Sequence, residues 1–327
     1  MMKQIKLGKT DRSISRLGLG TWAIGGGPAW GGDKDLDECI STIRACPELG
    51  INLVDTAPGY NFGQSEEIVG KALSGMNREE MVLITKCGIV WTRLGSLFNK
   101  VGDRQLYKNL TRESIFEEIQ MSLERLGTDY IDVYMVHWPS VEPFNTPIKE
   151  TMDALNDLKR QGLIRAIGAA NLSPAQVEEY SNYGELDIVQ GKYSVLDRAV
   201  EEELIPVLKK HGITLQAYSP LEQGLLSGAL GRDYEPQGAQ CNKKWFQREN
   251  MLKAMDMMDA WTPLTQKYNC TIPALALAWV MAQGDFITVL SGAITVDQLK
   301  ENINAANIEL SHEDAEIMRK MAQDIDN

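Results

Sequence analysis

The chain is expected to fold as one (β/α)8 barrel of the TIM type, and three features of the sequence lead there. About eight short runs rich in β-formers recur along it, most followed by a loop and a stretch of helical periodicity. The 327 residues, 43% hydrophobic and 24% charged, suit one large α/β barrel, so 1–327 is read as a single domain. Finally, the run Gly50-Ile51-Asn52-Leu53-Val54 leads into Asp55-Thr56-Ala57-Pro58-Gly59-Tyr60. That places a carboxylate at the C-terminal end of a strand and a phenol on the next loop, the end of a barrel where catalysis is built.

The elements follow in order. Residues 3–16 alternate with period two around Gly8-Lys9-Thr10-Asp11, which predicts a hairpin able to cap the barrel floor. Residues 17–21 form the first strand. Gly18-x-Gly20-x-x-Ala23 has the form of a dinucleotide fingerprint, but Gly25-Gly26-Gly27-Pro28 forbids the helix that motif must start, so a loop bearing Trp30 is expected instead. Further strands are predicted at 52–56, 82–86, 131–136, 165–169, 188–192, 214–219 and 287–291. A helix over 111–126 places Ile115, Ile119, Leu123 and Leu126 on one face, with Thr111 as N-cap and Gly127 as stop. Ser173-Pro174 opens another helix, and 271–283, with Pro273 near its start, reads as a buried one. Pro47 should kink or stop the helix that begins near Leu36 at about Cys46. The connections 88–109 and 221–248 are too long to be plain connectors and are read as lids or pocket walls over the barrel mouth.

Charge and composition narrow the function. A formal net charge of -12 argues against a nucleic-acid backbone as partner. The start, Met1-Met2-Lys3-Gln4-Ile5-Lys6, lacks an apolar signal core and no run reaches membrane length, so a cytoplasmic protein is expected. Cys39, Cys46, Cys87, Cys241 and Cys270 are scattered without a Cys-x-x-Cys pair, which argues against a disulfide framework or structural zinc. His137, His211 and His312 show no paired ligand spacing, so no metal site is assigned.

If the strand ends are right, Asp55, Tyr60, Lys86 and His137 converge at the mouth. Lys86 follows Met81-Val82-Leu83-Ile84-Thr85 and His137 follows Tyr134-Met135-Val136, so both emerge from interior runs. A buried lysine needs a partner, and Asp55 is the evident one. Its ammonium should favour ionisation of the Tyr60 phenol, making that group a stronger proton donor, while His137 donates a hydrogen bond to an oxygen gaining negative charge. Such a site suits carbonyl reduction. It has no hydride source of its own, which implies a nicotinamide cofactor. The flat faces of Trp22, Trp30, Trp91 and Trp138 would line the pocket for a small carbonyl compound beside Tyr60 and His137.

Gly50-x-Asn52-x-x-Asp55-Thr56-Ala57-x-x-Tyr60, followed by Gly63-x-Ser65-Glu66, resembles the first signature of the aldo-keto reductases. Leu123-Glu124-Arg125-Leu126-Gly127-Thr128-Asp129-Tyr130-Ile131-Asp132, running into His137, is similar to a second. The segment from Ser291-Gly292 to Gln298-Leu299-x-Glu301-Asn302 is similar to the family's C-terminal cofactor segment. The resemblance implies an NAD(P)H-dependent barrel reductase with Asp55, Tyr60, Lys86 and His137 as its catalytic tetrad. Within the family the chain looks like bacterial NADH-linked reductases of methylglyoxal and other small aldehydes. By position, Asn171 and Gln190 would hold the nicotinamide carboxamide and Tyr218 would stack on the ring. Ser219, Leu221, Gln223 and Gly224 would line the pyrophosphate; Gly292, Ala293, Gln298, Glu301 and Asn302 would face the adenosine; Trp22 and Asp55 would also border the cofactor.

One departure from the family pattern bears on cofactor choice. Where many NADPH-using members carry a lysine and an arginine for the 2′-phosphate, this chain has Gly292 and Gln298, which favours NADH. NADPH stays as the alternative, since Arg232, Lys243 and Lys244 on the long loop could reach the same place. Two other functions compete: a nicotinamide-binding regulatory subunit acting through a protein partner, and an isomerase or lyase using Lys86 as a Schiff-base amine.

Overall fold

The computed structural model describes residues 2–325; Met1, Asp326 and Asn327, the ends of the expected domain, lie outside them. Eight parallel strands close into a barrel, here β1 Leu17–Gly20, β2 Leu53–Asp55, β3 Val82–Cys87, β4 Ile131–Val136, β5 Ile164–Ala170, β6 Ile188–Lys192, β7 Thr214–Tyr218 and β8 Ile287–Gly292. Each is hydrogen-bonded to its successor, and β8 returns to β1 through Val289↔Leu17 to Gly292↔Gly20. Every strand expected from the sequence is present, with ends displaced by one residue at most.

Strand parity decides what faces inward, because successive side chains point to opposite faces. On β3, Val82 and Ile84 pack inside with Leu53, Val133, Met135 and Ile188, whereas Leu83 and Cys87 join the helical layer outside. The hairpin of Gln4–Lys6 and Ser13–Ser15 closes the floor, its Ile5, Leu7 and Ile14 plugging that interior cluster. Asn52 of the first signature clamps this plug, accepting from Ser15 N at 2.7 Å and donating to Ser13 O at 2.9 Å. With the lower layer filled by aliphatic side chains, polar groups are left for the upper one.

The outer helices begin and end where their punctuation says. Those used below are α1 Leu36–Arg44, α2 Gln64–Leu73 and α3 Arg112–Leu126, then α4 Ile148–Arg160 and α5 Pro174–Tyr183. Thr111 caps α3 and left-handed Gly127 (φ 61°) ends it, while Ser173 and Gln176 form a reciprocal capping box on α5, an arrangement that contributes about 1 kcal/mol. Helix α1 stops at Arg44, ahead of Pro47. No helix among the described residues is long and apolar enough to cross a membrane.

The two long connections differ in kind. Residues 88–109 are largely a three-stranded antiparallel sheet, Ile89–Val90, Ser96–Val101 and Arg104–Lys108, with Arg104–Lys108 in the centre. Residues 221–248 contain short 3-10 turns at Glu222–Ser227, Gly238–Gln240 and Lys244–Phe246.

Candidate active site

The inward parity of β2, β3, β6 and β7 delivers Asp55, Lys86, Gln190 and Gln216 to the upper layer, and all four are buried. Lys86 Nζ donates to Asp55 Oδ1 at 2.6 Å, to Thr56 O at 2.9 Å and to Tyr60 Oη at 3.1 Å, so each ammonium proton has an acceptor. Gln190 Nε2 takes the other carboxylate oxygen, Asp55 Oδ2, at 2.6 Å and also reaches Gln216 Oε1 at 2.8 Å. Neither Asp55 nor Lys86 has any solvent exposure.

The loop after β2 is built to hold Tyr60 against this ammonium. Asn61 and Phe62 sit in the left-handed region (φ 53° and 54°), and Asn61 Nδ2 ties the turn to Gly25 O at 2.9 Å. Beneath it a buried hydroxyl cluster joins the loops after β1 and β2: Ser65 Oγ meets Thr21 Oγ1 at 2.7 Å and accepts from Thr56 Oγ1 at 2.9 Å. Glu66 then fastens α2 to its surroundings, taking Arg125 Nε from α3 at 2.6 Å and Thr85 Oγ1 from β3 at 2.5 Å. The Ser65-Glu66 pair of the first signature is therefore scaffolding for Tyr60.

His137 leaves β4 with its N–H on Cys87 O at 3.0 Å and its ring 5.6 Å from that of Tyr60. Burial, with the positive charges of Lys86 and Lys108, holds its pKa well below the ordinary value, so the ring is neutral at neutral pH. Its Nδ1 is buried without a partner among the described residues. For Lys86, burial works against the charge, but Asp55 and Tyr60 more than restore it and the ammonium is favoured. The Tyr60 phenol departs from the sequence expectation. Burial pushes its pKa above the ordinary value, and the downward pull of Lys86, itself opposed by Asp55, does not reverse this.

Around this centre, Tyr218 donates its hydroxyl to Asn171 Oδ1 at 2.8 Å, and Asn171 Nδ2 donates to His137 O at 3.0 Å. Asn171 itself is left-handed (φ 61°). Of the tryptophans, Trp22 lies 6.1 Å from the Tyr60 ring and 5.2 Å from Trp30, while Trp138 lies 6.0 Å from Phe98. Trp91 stands apart from that group, edge-on to Phe62 at 5.5 Å with Arg125 5.9 Å above it. Ser219, Glu222, Gln223 and Gly224 are left-handed in close succession. Glu222 anchors this turn through Ser194 Oγ at 2.6 Å and Lys192 Nζ at 2.8 Å.

These residues fit a dinucleotide. Gln216 Nε2, Gln223 Oε1 and Ser291 Oγ are buried and unpartnered among the described residues, leaving hydrogen-bonding capacity on β7, the following turn and β8. A Cβ added at Gly224 would meet nothing within 4 Å, and one at Gly292 only Gly20 O at 3.9 Å, so both backbones are open to approach. Beyond Gly292, Val296–Ile303 forms a helix capped by Thr295, and Asn302 Nδ2 binds Gly292 O at 3.2 Å. Gln298 and Glu301 are exposed on this helix, Asp297 lies in its first turn, and Ala293 is buried beneath. Leu221 packs at the edge of the core.

The sequence reading missed Gln216, the Thr56 carbonyl and Ser65. For Gln216 the signal was available, since its parity on β7 is that of Gln190 on β6, directly across at Gln190↔Gln216.

Residues 16–323 match the aldo/keto reductase family. The chain is 63% identical over 322 residues to the NADH-specific methylglyoxal reductase of Escherichia coli (strain K12), covering 98% of this chain and 99% of that one. A probable voltage-gated potassium channel subunit beta of Arabidopsis thaliana is 30% identical over 320 residues, covering 94% and 92%. Among solved structures, the glycerol dehydrogenase AKR11B4 from Gluconobacter oxydans superposes with a TM-score of 0.87 at 33% identity, over 97% of this chain and 94% of that one.

Proposed function

Because the chain belongs to the aldo/keto reductase family and is an oxidoreductase, we propose that it reduces methylglyoxal and related small aldehydes to alcohols, with NADH preferred as reductant. The observation that carries this reading is the single ammonium shared by Asp55 and Tyr60 at the barrel mouth.

A reduced nicotinamide, when bound along β6, β7 and the turn after β7, supplies the hydride that the carbonyl carbon accepts. Asn171, Gln190 and Gln216 would orient its carboxamide, the Tyr218 ring would cover one face, and the turn at 219–224 would take the pyrophosphate. The protein's own work is to manage charge at the carbonyl oxygen. Tyr60 begins protonated, as a general acid must, because burial keeps its hydroxyl un-ionised across neutral pH. As the oxygen gains charge Tyr60 Oη gives up its proton, and the phenolate left behind meets Lys86 Nζ, already 3.1 Å away. That contact strengthens as charge appears, which stabilises the transition state more than the resting pocket. Asp55 and Gln190 fix the ammonium so that no reorganisation is needed. Neutral His137 can give one N–H to the same oxygen without adding a charge.

The adenosine end agrees with NADH. Asp297 and Glu301 place carboxylates on the helix beside Gly292, and its one cation, Lys300, lies on the opposite side by helical spacing from Gln298. Arg232 is held by Asp256 at 2.6 Å and Asp259 at 2.7 Å, away from that role. Unless Lys243 or Lys244 reaches it, a 2′-phosphate would lack charge-assisted bonds worth about 1.5–3 kcal/mol each, so kcat/KM should favour NADH by at least about tenfold. Equal efficiencies with both cofactors would reject the preference.

Tyr60→Phe tests the assignment. Steady-state oxidation of NADH with methylglyoxal should fall by about 10²–10⁴-fold while NADH still binds by fluorescence titration. Retained turnover would remove Tyr60 as the acid. NADH binding by the wild type with no turnover on any aldehyde would instead favour a regulatory subunit.

A further inference from the structure

The central strand of the accessory sheet, Arg104–Lys108, is paired on both sides, to Ile89–Val90 and to Ser96–Val101, and so holds its side chains on a rigid frame. Period-two alternation puts Arg104, Leu106 and Lys108 on one face, and buried Leu106 shows that this face turns toward the barrel. The Lys108 ammonium lies 5.1 Å from the centre of the Trp138 ring and 5.7 Å from that of Phe98. It is half-buried, and neither its hydrogen bonds nor its ion pairs include a carboxylate among the described residues. Trp138 directly follows His137, and Lys108 is close enough to help hold that ring neutral. Four residues back on the same face, Arg104 caps the Phe62 ring at 4.0 Å, two residues after Tyr60. One wall of the mouth therefore carries two cations set against aromatic faces and, among the described residues, paired with no carboxylate, in a chain of net charge -12.

Burial against rings strips water from an ammonium without supplying an anion, and burial does lower the pKa of Lys108. An incoming anion would restore what the wall withholds. Resting on the reductase reading, we infer that Lys108 is a specificity-determining residue which binds an anionic group, a carboxylate or a phosphate, carried by the carbonyl substrate. The carbonyl would lie at Tyr60 and His137, with the charged end directed along Trp138 to Lys108. Neutral compounds such as methylglyoxal would use the same centre without this contact.

The experiment compares matched substrates with the full chain and NADH: 4-oxobutanoate against its neutral methyl ester, and glyceraldehyde 3-phosphate against glyceraldehyde. The wild type should prefer the charged member of at least one pair by about tenfold or more in kcat/KM, the size of a charge-assisted contact. Which pair shows it separates a carboxylate site from a phosphate site. In Lys108→Met the charged-to-neutral ratio should collapse toward one, chiefly through KM, and Lys108→Arg should restore part of it. No preference in the wild type, or an unchanged ratio in Lys108→Met, overturns the inference. Quenching of tryptophan fluorescence by butanoate and by inorganic phosphate needs no turnover. Anion binding lost in Lys108→Met would sustain the site even if every aldehyde failed as substrate, whereas aldehyde turnover without Lys108-dependent anion binding or preference would leave the reductase standing and remove this site.

Discussion

Strand β3 divides two buried carboxyl groups that the protein treats in opposite ways. On its inner side Asp55 faces the Lys86 ammonium at 2.6 Å, with Gln190 on its second oxygen. On its outer side Glu118, from α3, accepts from Gly88 N at 2.8 Å and from Ser114 Oγ at 3.0 Å, both neutral donors. Arg125, whose charge also acts on Glu118, is paired with Glu66. Burial pushes Glu118 up to about 8, so its hydrogen bonds alone do not keep it ionised at neutral pH. Burial pushes Asp55 above its ordinary value as well, and Lys86 and Gln190 pull against that without reversing it, while the carboxyl in turn helps hold the Lys86 ammonium charged. The difference is where the cation stands. A carboxylate with its own buried ammonium makes a fixed dipole that can stabilise a phenolate; one held by neutral donors is a structural latch.

The strongest way to break the inner side is to remove its cation. Lys86→Met should lower kcat/KM for aldehyde reduction by about 10²–10³-fold, the loss expected when a preorganised charge is deleted. It should also destabilise the fold by about 3–5 kcal/mol in denaturant melts, since Asp55 would be left buried and unpaired. Adding Asp55→Asn, which keeps an acceptor for Gln190, should recover more than half of that stability and none of the activity. Recovery of activity with stability would mean that Lys86 serves the fold alone. Failure to recover stability would mean that the pair is not the source of the cost.

Most of this arrangement was legible in the chain, because a barrel converts a position along a strand into a height and a parity into a direction. The run Val82-Leu83-Ile84-Thr85-Lys86 already says that Lys86 shares a face with Val82 and Ile84, and the Asp55-to-Tyr60 turn says which end is the mouth. The sheet over 88–109 was also within reach. Gly102 and Asp103 separate two short runs that hold Leu97, Phe98 and Val101 on one side and Leu106 and Tyr107 on the other, and Gly102 takes the left-handed turn position (φ 59°). Two features were not legible. The position of Trp91 against Phe62 depends on how that sheet folds back over the loop after β2, a tertiary matter. The rise in the Tyr60 pKa is a balance between desolvation and a nearby charge, and burial depth cannot be read from residue types.

The smallest expected effect sharpens the outer side. Glu118 has a folded pKa raised to about 8 from an ordinary value of 4.5, so between those values the folded state holds a proton that the unfolded state has lost. Stability conferred by that proton is present below about pH 4.5 and declines as pH rises toward 8, because the slope follows the difference in bound protons. Glu118→Gln removes the titration while keeping both contacts, its carbonyl toward Gly88 N and its amide toward Ser114, whose hydroxyl can accept. The variant should therefore lose less stability than the wild type between pH 5 and 8, with a higher melting temperature at about pH 8. Parallel pH profiles for the two proteins would show that Glu118 stays ionised when folded, and the contrast across β3 would then rest on geometry alone.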